Sequence, residues 1–290
     1  MSEQLPKISK IVVLAHPHVV DGTQEAALIA TRLEELGATV AYGLIYDENL
    51  RSRVQAMEFD LIIALGGDGT MLRAGHLGGP CNIPILGINM GHFGFLMEVR
   101  QTQWRDILGR VLQGDYWLEK RMMLCAEQWR GDQKLGDWDA LNEVVVTRGQ
   151  VVRPVQLTAN IDGRILTTYV ADGLIAATST GSTGYALAAG GPILPPELRN
   201  ILLVPVAPHL SIDRAIVLAE GSYVTITVKT EHQAVLSIDG QPPIPMLDGD
   251  RVEAYASDHT VKFVRFQDPG YFYRNLTPHM SQNPSLGNHR

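Results

Sequence analysis

The sequence predicts an α/β domain followed by a mostly β domain. Three observations carry this reading. Strand-like and helix-like segments alternate with short joints over about the first hundred residues; the apolar run Leu61-Ile62-Ile63-Ala64-Leu65 ends at the turn Gly66-Gly67-Asp68-Gly69-Thr70; and beyond Gly114 the pattern becomes short alternating segments separated by turn residues. A chain of 290 residues exceeds what one core usually serves. Two domains are therefore expected, at 1–100 and 101–266.

In order, Ile8–Ala15 reads as the first strand. Thr23–Leu36 follows as a helix with Thr23 as its cap, apolar positions at Ala26, Ala27, Ala30 and Leu33, and Gly37 as its stop. Ala38–Leu44 is the second strand, Arg51–Met57 a short helix and Leu61–Leu65 a buried strand. The glycine turn, a helix from Met71 and a strand at Ile85–Ile88 complete a series of βα units. Gln101–Gln113 reads as a connecting helix ending at Gly114. Strands are then expected at Met122–Glu127, Ala140–Val146, Val155–Ile161, Ile165–Tyr169, Leu174–Ala177, Ala215–Leu218, Tyr223–Val228, Ala234–Ile238, Arg251–Tyr255 and Val261–Phe266. Asp162-Gly163 and Asp239-Gly240 are hairpin signals. Ser281–Arg290 reads as a disordered polar tail without function.

Composition narrows the partners. A net charge of -7, with no basic cluster, argues against nucleic acid. No apolar stretch approaches the roughly 20 residues that span a bilayer, and Met1–Lys10 lacks a signal-peptide core, so no membrane and a cytoplasmic location are expected. Cys81 and Cys125 lie far apart without metal-ligand spacing and read as buried free thiols.

Three glycines around one carboxylate let the backbone approach a ligand and aim its N–H groups at an anion, leaving Asp68 at the mouth. The functional reading is metal-assisted phosphoryl transfer with Asp68 as base; the structural reading is a tight turn in which Asp68 caps a helix starting near Thr70. A second glycine loop, Asn89-Met90-Gly91-His92-Phe93-Gly94-Phe95-Leu96, follows another strand, at the sheet edge where doubly wound folds bind ligands. Its structural alternative is a turn with Phe93, Phe95 and Leu96 in the core. From Asp172 to Gly191, small hydroxyl residues and glycines gather. A helix from Ser182, with the hydroxyls of Thr180, Ser182 and Thr183, could offer donors to a phosphorylated ligand and Tyr185 could stack on a ring, or these residues are ordinary caps and stops. Asn142-Glu143, opening Val144-Val145-Val146, could clasp a ribose diol or serve as a turn residue and an edge charge.

Assembled, these motifs resemble the NAD kinase family, which phosphorylates NAD to NADP with ATP or polyphosphate. Gly66-Gly67-Asp68-Gly69-Thr70 is similar to its GGDG motif and Asn142-Glu143 to its NE pair. Asp172-Gly173 with Thr180-Gly181-Ser182-Thr183-Gly184-Tyr185 is similar to its DG strand and TGSTAY. The second glycine loop, Ala189-Gly190-Gly191-Pro192, Pro208-His209 and Ser237-Ile238-Asp239-Gly240 fit further landmarks in order, over nearly the whole chain. Similar glycine turns occur in lipid kinases and phosphofructokinases; the combination with NE and TGSTxY is the specific part.

The resemblance implies a Rossmann-like domain, a β-sandwich-like domain with NAD in the crevice between them, a tail (267–290) returning to the first domain, and a homo-oligomer, dimer or tetramer. It implies Asp68 as the base toward the adenosine ribose 2′-hydroxyl, with Gly67, Gly69 and Arg73 by the phosphates. Asn142, Glu143, Arg153, Asp172, Thr180, Thr183, Gly184, Tyr185, Ala188 and Gln241 match nucleotide-holding positions. Mg²⁺ would be held mainly by the phosphates, with no protein metal site. Ser179, Gly184 and Ala188 depart from the family's usual proline, alanine and serine, and bear on nucleotide affinity and the choice between NAD and NADH. The competing readings are a kinase of another small molecule or lipid, and a noncatalytic nucleotide-binding regulator.

Overall fold

The computed structural model describes residues 8–91, 94–151, 153–209 and 212–281. Two compact units emerge, Met1–Lys120 with Val261–Arg290, and Arg121–Thr260. In chain order the first contains β1 (Lys10–Ala15), α1 (Gly22–Glu35), β2 (Thr39–Leu44), α2 (Glu48–Gln55), β3 (Leu61–Gly66), α3 (Asp68–Gly78), β4 (Ile85–Asn89), β5 (Val99–Arg100), α4 (Trp104–Gln113) and the start of β6 (Trp117–Arg130). β1 pairs in parallel with β2 and β3, β3 with β4, and β4 with β5. Every residue of β3 and β4 is buried, as strands covered on both faces must be, which explains their unbroken apolar runs.

The helices follow local signals. α1 buries Ala26, Ile29, Ala30 and Leu33 and ends before Gly37, whose φ of +90° suits glycine. It starts two residues earlier than a Thr23 cap implies, with Asp21 in a left-handed conformation at the N-cap position. The Asp47 side chain accepts from the Leu50 N–H and so starts α2 three residues before Arg51. Buried Trp104 donates from its ring nitrogen to Glu25 at 2.5 Å, joining α4 to α1.

The second unit continues through β7 (Gln133–Ala140), β8 (Glu143–Arg148), β9 (Val155–Ile161), β10 (Arg164–Ala171), β11 (Gly173–Ala177), α5 (Tyr185–Ala188), β12 (Asn200–Val206), β13 (Ile216–Ala219), β14 (Val224–Lys229), β15 (Ala234–Ile238), β16 (Ile244–Met246) and β17 (Arg251–Arg265). One antiparallel sheet runs β13-β12-β11-β8-β15-β16, and β10-β9-β14-β17 form a second antiparallel run. Val144, Leu174, Leu203 and Leu236 from the first share a core with Leu157, Tyr169, Ile226 and Val252 from the second. This is a β-sandwich. At its end β17 carries the chain back into the first unit, where Phe263 pairs in parallel with Ile85 and α6 (Tyr271–Ser281) follows.

Several expected elements differ. The single strand Ala140–Val146 is two, β7 and β8, broken at Leu141-Asn142; the separate strands Arg251–Tyr255 and Val261–Phe266 are one continuous β17. The expected helix from Ser182 is a single 3-10 turn, Gly181–Thr183, followed by the four-residue α5. β12 is an unexpected central strand: Pro205 argues against a strand interior, yet Ile201 to Val204 are buried between β11 and β13. The Asp162-Gly163 signal is a two-residue hairpin, with φ of 50° and 76°, between β9 and β10. His92, Phe93 and the tail from 282 onward lie outside the described residues. No helix among the described residues is long and apolar enough to cross a membrane.

Because Leu203 is fully buried in the sandwich core, Leu203→Ala should lower stability by about 2–5 kcal/mol, measured as a shift in urea midpoint.

Candidate active site

The glycine turn is built by close packing. At Gly66 a Cβ would stand 2.1 Å from the Thr70 hydroxyl oxygen, so the end of β3 tolerates no side chain. Gly67 precedes α3, and nothing lies within 4 Å of where its Cβ would be, which leaves the N-terminal N–H groups of an eleven-residue helix approachable. Asp68 is the first residue of that helix rather than a cap for one starting at Thr70. Its carboxylate turns to the second glycine loop: Oδ2 accepts from the Phe95 N–H at 2.8 Å and Oδ1 from the Leu96 N–H at 3.0 Å. At Gly94 a Cβ would come within 2.3 Å of that carboxylate, so the loop reaches Asp68 only as glycine. Asn89 opens the loop by accepting from the Gly91 N–H at 2.7 Å, and Met90 donates to the Gly66 carbonyl at 2.9 Å. The two glycine loops of the sequence are therefore one structure.

Beside them is a cavity of about 250 Å³ lined by His16, His18, Gly67, Gly69, Thr70 and Arg73. Arg73 donates to the Gly69 carbonyl at 2.8 Å and lies 5.6 Å from the Tyr46 ring. Burial, then the charges of Arg73 and His18, push the pKa of His16 down, favouring the neutral ring. A cation beside a helix N-terminus suits an anionic group. Sequence reasoning missed His16 and His18, although a His-x-His pair follows directly on β1, at the same end of the sheet as the glycine turn.

In the second unit one carboxylate organises the Asn142-Glu143 turn. Asp239 accepts from the N–H groups of Leu141, Asn142 and Glu143 at 2.7, 2.8 and 2.8 Å. The Thr178 hydroxyl donates to the Leu141 carbonyl at 2.6 Å. Gly181 packs so closely on this turn that a Cβ would stand 2.2 Å from the Asn142 carbonyl oxygen; one at Gly184 would stand 3.1 Å from Glu143 Oε2 and 3.6 Å from Asn142 Nδ2. The structure thus brings Asn142, Glu143, Thr180, Thr183, Gly184 and Tyr185 together. Glu143 is 8% exposed and its Oε2 has no partner. Burial, with the nearby Asp239 charge, raises its pKa to about 7 against a hydrogen bond from the Tyr185 N–H. An acceptor held dry in this way is suited to paired hydroxyl donors.

The other expected residues have different surroundings. Buried Arg121 donates to the Thr180 hydroxyl at 3.1 Å, and Thr183 donates to the Thr180 carbonyl at 3.2 Å. Ser182 donates to Ser179 and accepts from the Leu194 N–H, so its hydroxyl closes the loop on itself. Tyr185 is 45% exposed, and Ala188 is exposed at the end of α5. Asp172 pairs with Arg148 at 3.0 Å. Gln241 is exposed and its carbonyl accepts from Ser237 at 3.2 Å. Arg153 lines a different cavity, of about 280 Å³, with Gln156, Lys229, Thr230, His232 and Asp248. Sequence reasoning assigned no role to Asp239 or Arg121; Asp239-Gly240 was legible as a hairpin signal and as part of a motif landmark, but not as the acceptor of three consecutive N–H groups. Among the described residues no group of three or more His, Cys, Asp or Glu side chains could hold a metal ion.

Residues 11–116 match the ATP-NAD kinase N-terminal domain and residues 141–266 the ATP-NAD kinase C-terminal domain. Fold and motifs together define a two-domain phosphotransferase. The chain is 38% identical over 276 residues to the NAD kinase of Chloroflexus aurantiacus, covering 95% of this chain and 100% of that one. It is 42% identical over 224 residues to the NAD kinase of Chloroflexus aggregans, covering 77% and 81%. The fold is shared with an NAD kinase from Archaeoglobus fulgidus in complex with ATP (TM-score 0.77, 25% identity, 94% of this chain and 100% of that one). It is also shared with yeast NADH kinase complexed with NADH (TM-score 0.83, 24% identity, 98% and 91%). The chain belongs to the NAD kinase family.

A carboxyl whose folded pKa is raised favours folding while protonated and loses that contribution as pH rises through the folded value. For Glu143 the window runs from the ordinary carboxyl range up to about 7. Glu143→Gln should therefore raise the melting temperature of the unliganded protein at pH 8, with the gain shrinking toward pH 5; thermal melts across that range check it.

Proposed function

We propose that the chain transfers the terminal phosphate of ATP to the 2′-hydroxyl of the adenosine ribose of NAD, giving NADP, with Asp68 as the base. The observation that carries this reading is the Asp68 carboxylate, fixed by two backbone donors at a glycine turn whose open face adjoins Arg73. ATP is favoured over polyphosphate by the likeness to a kinase solved with ATP. Arg73 and the first N–H groups of α3 would bind donor phosphates, with Gly67 and Gly69 giving the backbone access. Glu143 and Asn142 would hold ribose hydroxyls. Thr180, Thr183, Gly184 and Tyr185 would complete the dinucleotide contacts, with Asp172, Arg153, Ala188 and Gln241 as further binding positions.

In a loose phosphoryl-transfer transition state the nucleophile needs little activation, so placing the hydroxyl and neutralising charge supply most of the rate. Mg²⁺ held mainly by the donor phosphates would neutralise charge on the donor beside the Asp68 carboxylate. A noncatalytic regulator would have no use for a carboxylate clamped at the phosphate mouth.

The test is NADP formation from NAD and Mg-ATP by purified protein, with polyphosphate run alongside. Asp68→Asn should keep NAD affinity and lose turnover by about a hundredfold or more; near-normal turnover would sink the base. A ribose diol donates best to an ionised carboxylate, so the KM for NAD should rise as pH falls through about 7, and Glu143→Gln should flatten that rise.

A further inference from the structure

We propose that Arg265 is a positioning residue for Asp68, acting through the peptide of Leu96. The two ends of this residue's backbone are held by different partners. Its N–H donates to Asp68 Oδ1 at 3.0 Å, and its carbonyl accepts from Arg265 Nη1 at 2.9 Å. The loop that grips the carboxylate is thus gripped in turn by a guanidinium at the end of β17.

Arg265 is itself held by hydrogen bonds through Nε and Nη1. It is 1% exposed; Nε donates to Glu119 Oε2 at 2.8 Å and Nη2 lies 2.8 Å from the same oxygen. Tyr271, at the start of α6, donates to Glu119 at 3.1 Å, and the Phe263 and Tyr271 rings lie 5.1 and 5.0 Å from the guanidinium carbon. Glu98, two residues beyond Leu96, is 4.0 Å from Arg265 and accepts the N–H groups of Phe266 and Gln267 at 3.1 and 2.6 Å. The segment 94–98 is therefore tied at Leu96 and at Glu98 to the strand end 265–267.

Stability alone does not account for this cluster. A buried ion pair contributes little over apolar residues of the same volume, because desolvation offsets the attraction. What the guanidinium adds is geometry: its rigid fork reaches a carboxylate and a peptide carbonyl at once, which a lysine ammonium on a flexible stem does not reproduce. Misplacing a catalytic group by about an ångström can cost on the order of a hundredfold in rate, so the second support of the Leu96 peptide bears directly on turnover.

The inference rests on Asp68 being the base, and the experiment separates the two. Arg265→Lys should fold, hold the KM for NAD within about twofold and lose about tenfold or more in kcat. By hydrogen exchange, the Phe95 and Leu96 amides should lose about tenfold protection in Arg265→Lys and in Asp68→Asn, while the amides of β1 and β3 keep theirs. A merely structural role would instead speed exchange across the whole sheet. Where Arg265→Lys does not fold, Tyr271→Phe, which deletes one donor to Glu119, should show the same changes to a smaller degree. Wild-type kcat, or wild-type Leu96 exchange, in the folded variant overturns the inference and leaves the base reading standing. Wild-type turnover in Asp68→Asn overturns the base reading and this inference with it.

Discussion

The first unit depends on one close approach, that of Gly94 to the carboxylate of Asp68. An ionised carboxylate attracts backbone donors strongly, but two consecutive N–H groups can reach it only if the residue before them has no side chain. That single absence of a Cβ lets the loop after β4 fold back onto the first turn of α3. The residue at the N-cap position of α3 is Gly67, which has no side chain to cap with, while Asp68 directs oxygens to the neighbouring loop.

The second unit solves the same problem with the carboxylate outside the candidate site. Asp239 takes three consecutive N–H groups and so holds Leu141 and Asn142 in a break between strands just before Glu143 opens β8. The arrangement brings a second acid close to Glu143, which is already buried, and both effects disfavour its ionised form. A buried acid raised in pKa and left with an unpartnered oxygen is unfavourable to fold in its ionised form.

How much of this the sequence revealed follows from the range of each cause. The βα alternation, the buried run Leu61–Leu65 and the Asp162-Gly163 hairpin rest on neighbours in the chain, and they were legible. β12 was not, because whether Pro205 is tolerated depends on what pairs with it, and the break at Leu141-Asn142 was not, because Asp239 makes it from 97 residues away. The motif residues could be picked out one by one, but composition says nothing of which atom Asp68 turns toward. The expectation of a helix from Ser182 failed for a related reason. Ser182 and Thr183 spend their hydroxyls on carbonyls of the preceding turn, which favours a 3-10 turn over helix propagation.

Gly184, the departure from the family's usual alanine, acquires a physical meaning from the same geometry. Its missing Cβ would face Glu143 Oε2 at 3.1 Å and the Gly181 carbonyl oxygen at 3.3 Å, both tighter than ordinary contact. An alanine there would press on the one unpartnered oxygen of the buried acid and narrow the angles from which a hydroxyl could reach it. Glycine leaves that oxygen more open and the loop before α5 less constrained, since glycine gives up more conformational freedom when it is ordered. The trade is between access to the acceptor and pre-organisation of the chain around it. By contrast Gly181, with a carbonyl 2.2 Å from its Cβ position, has no such latitude. Of the two glycines in this turn, one is required by packing and the other sets how closely the loop presses on the buried Glu143 carboxyl.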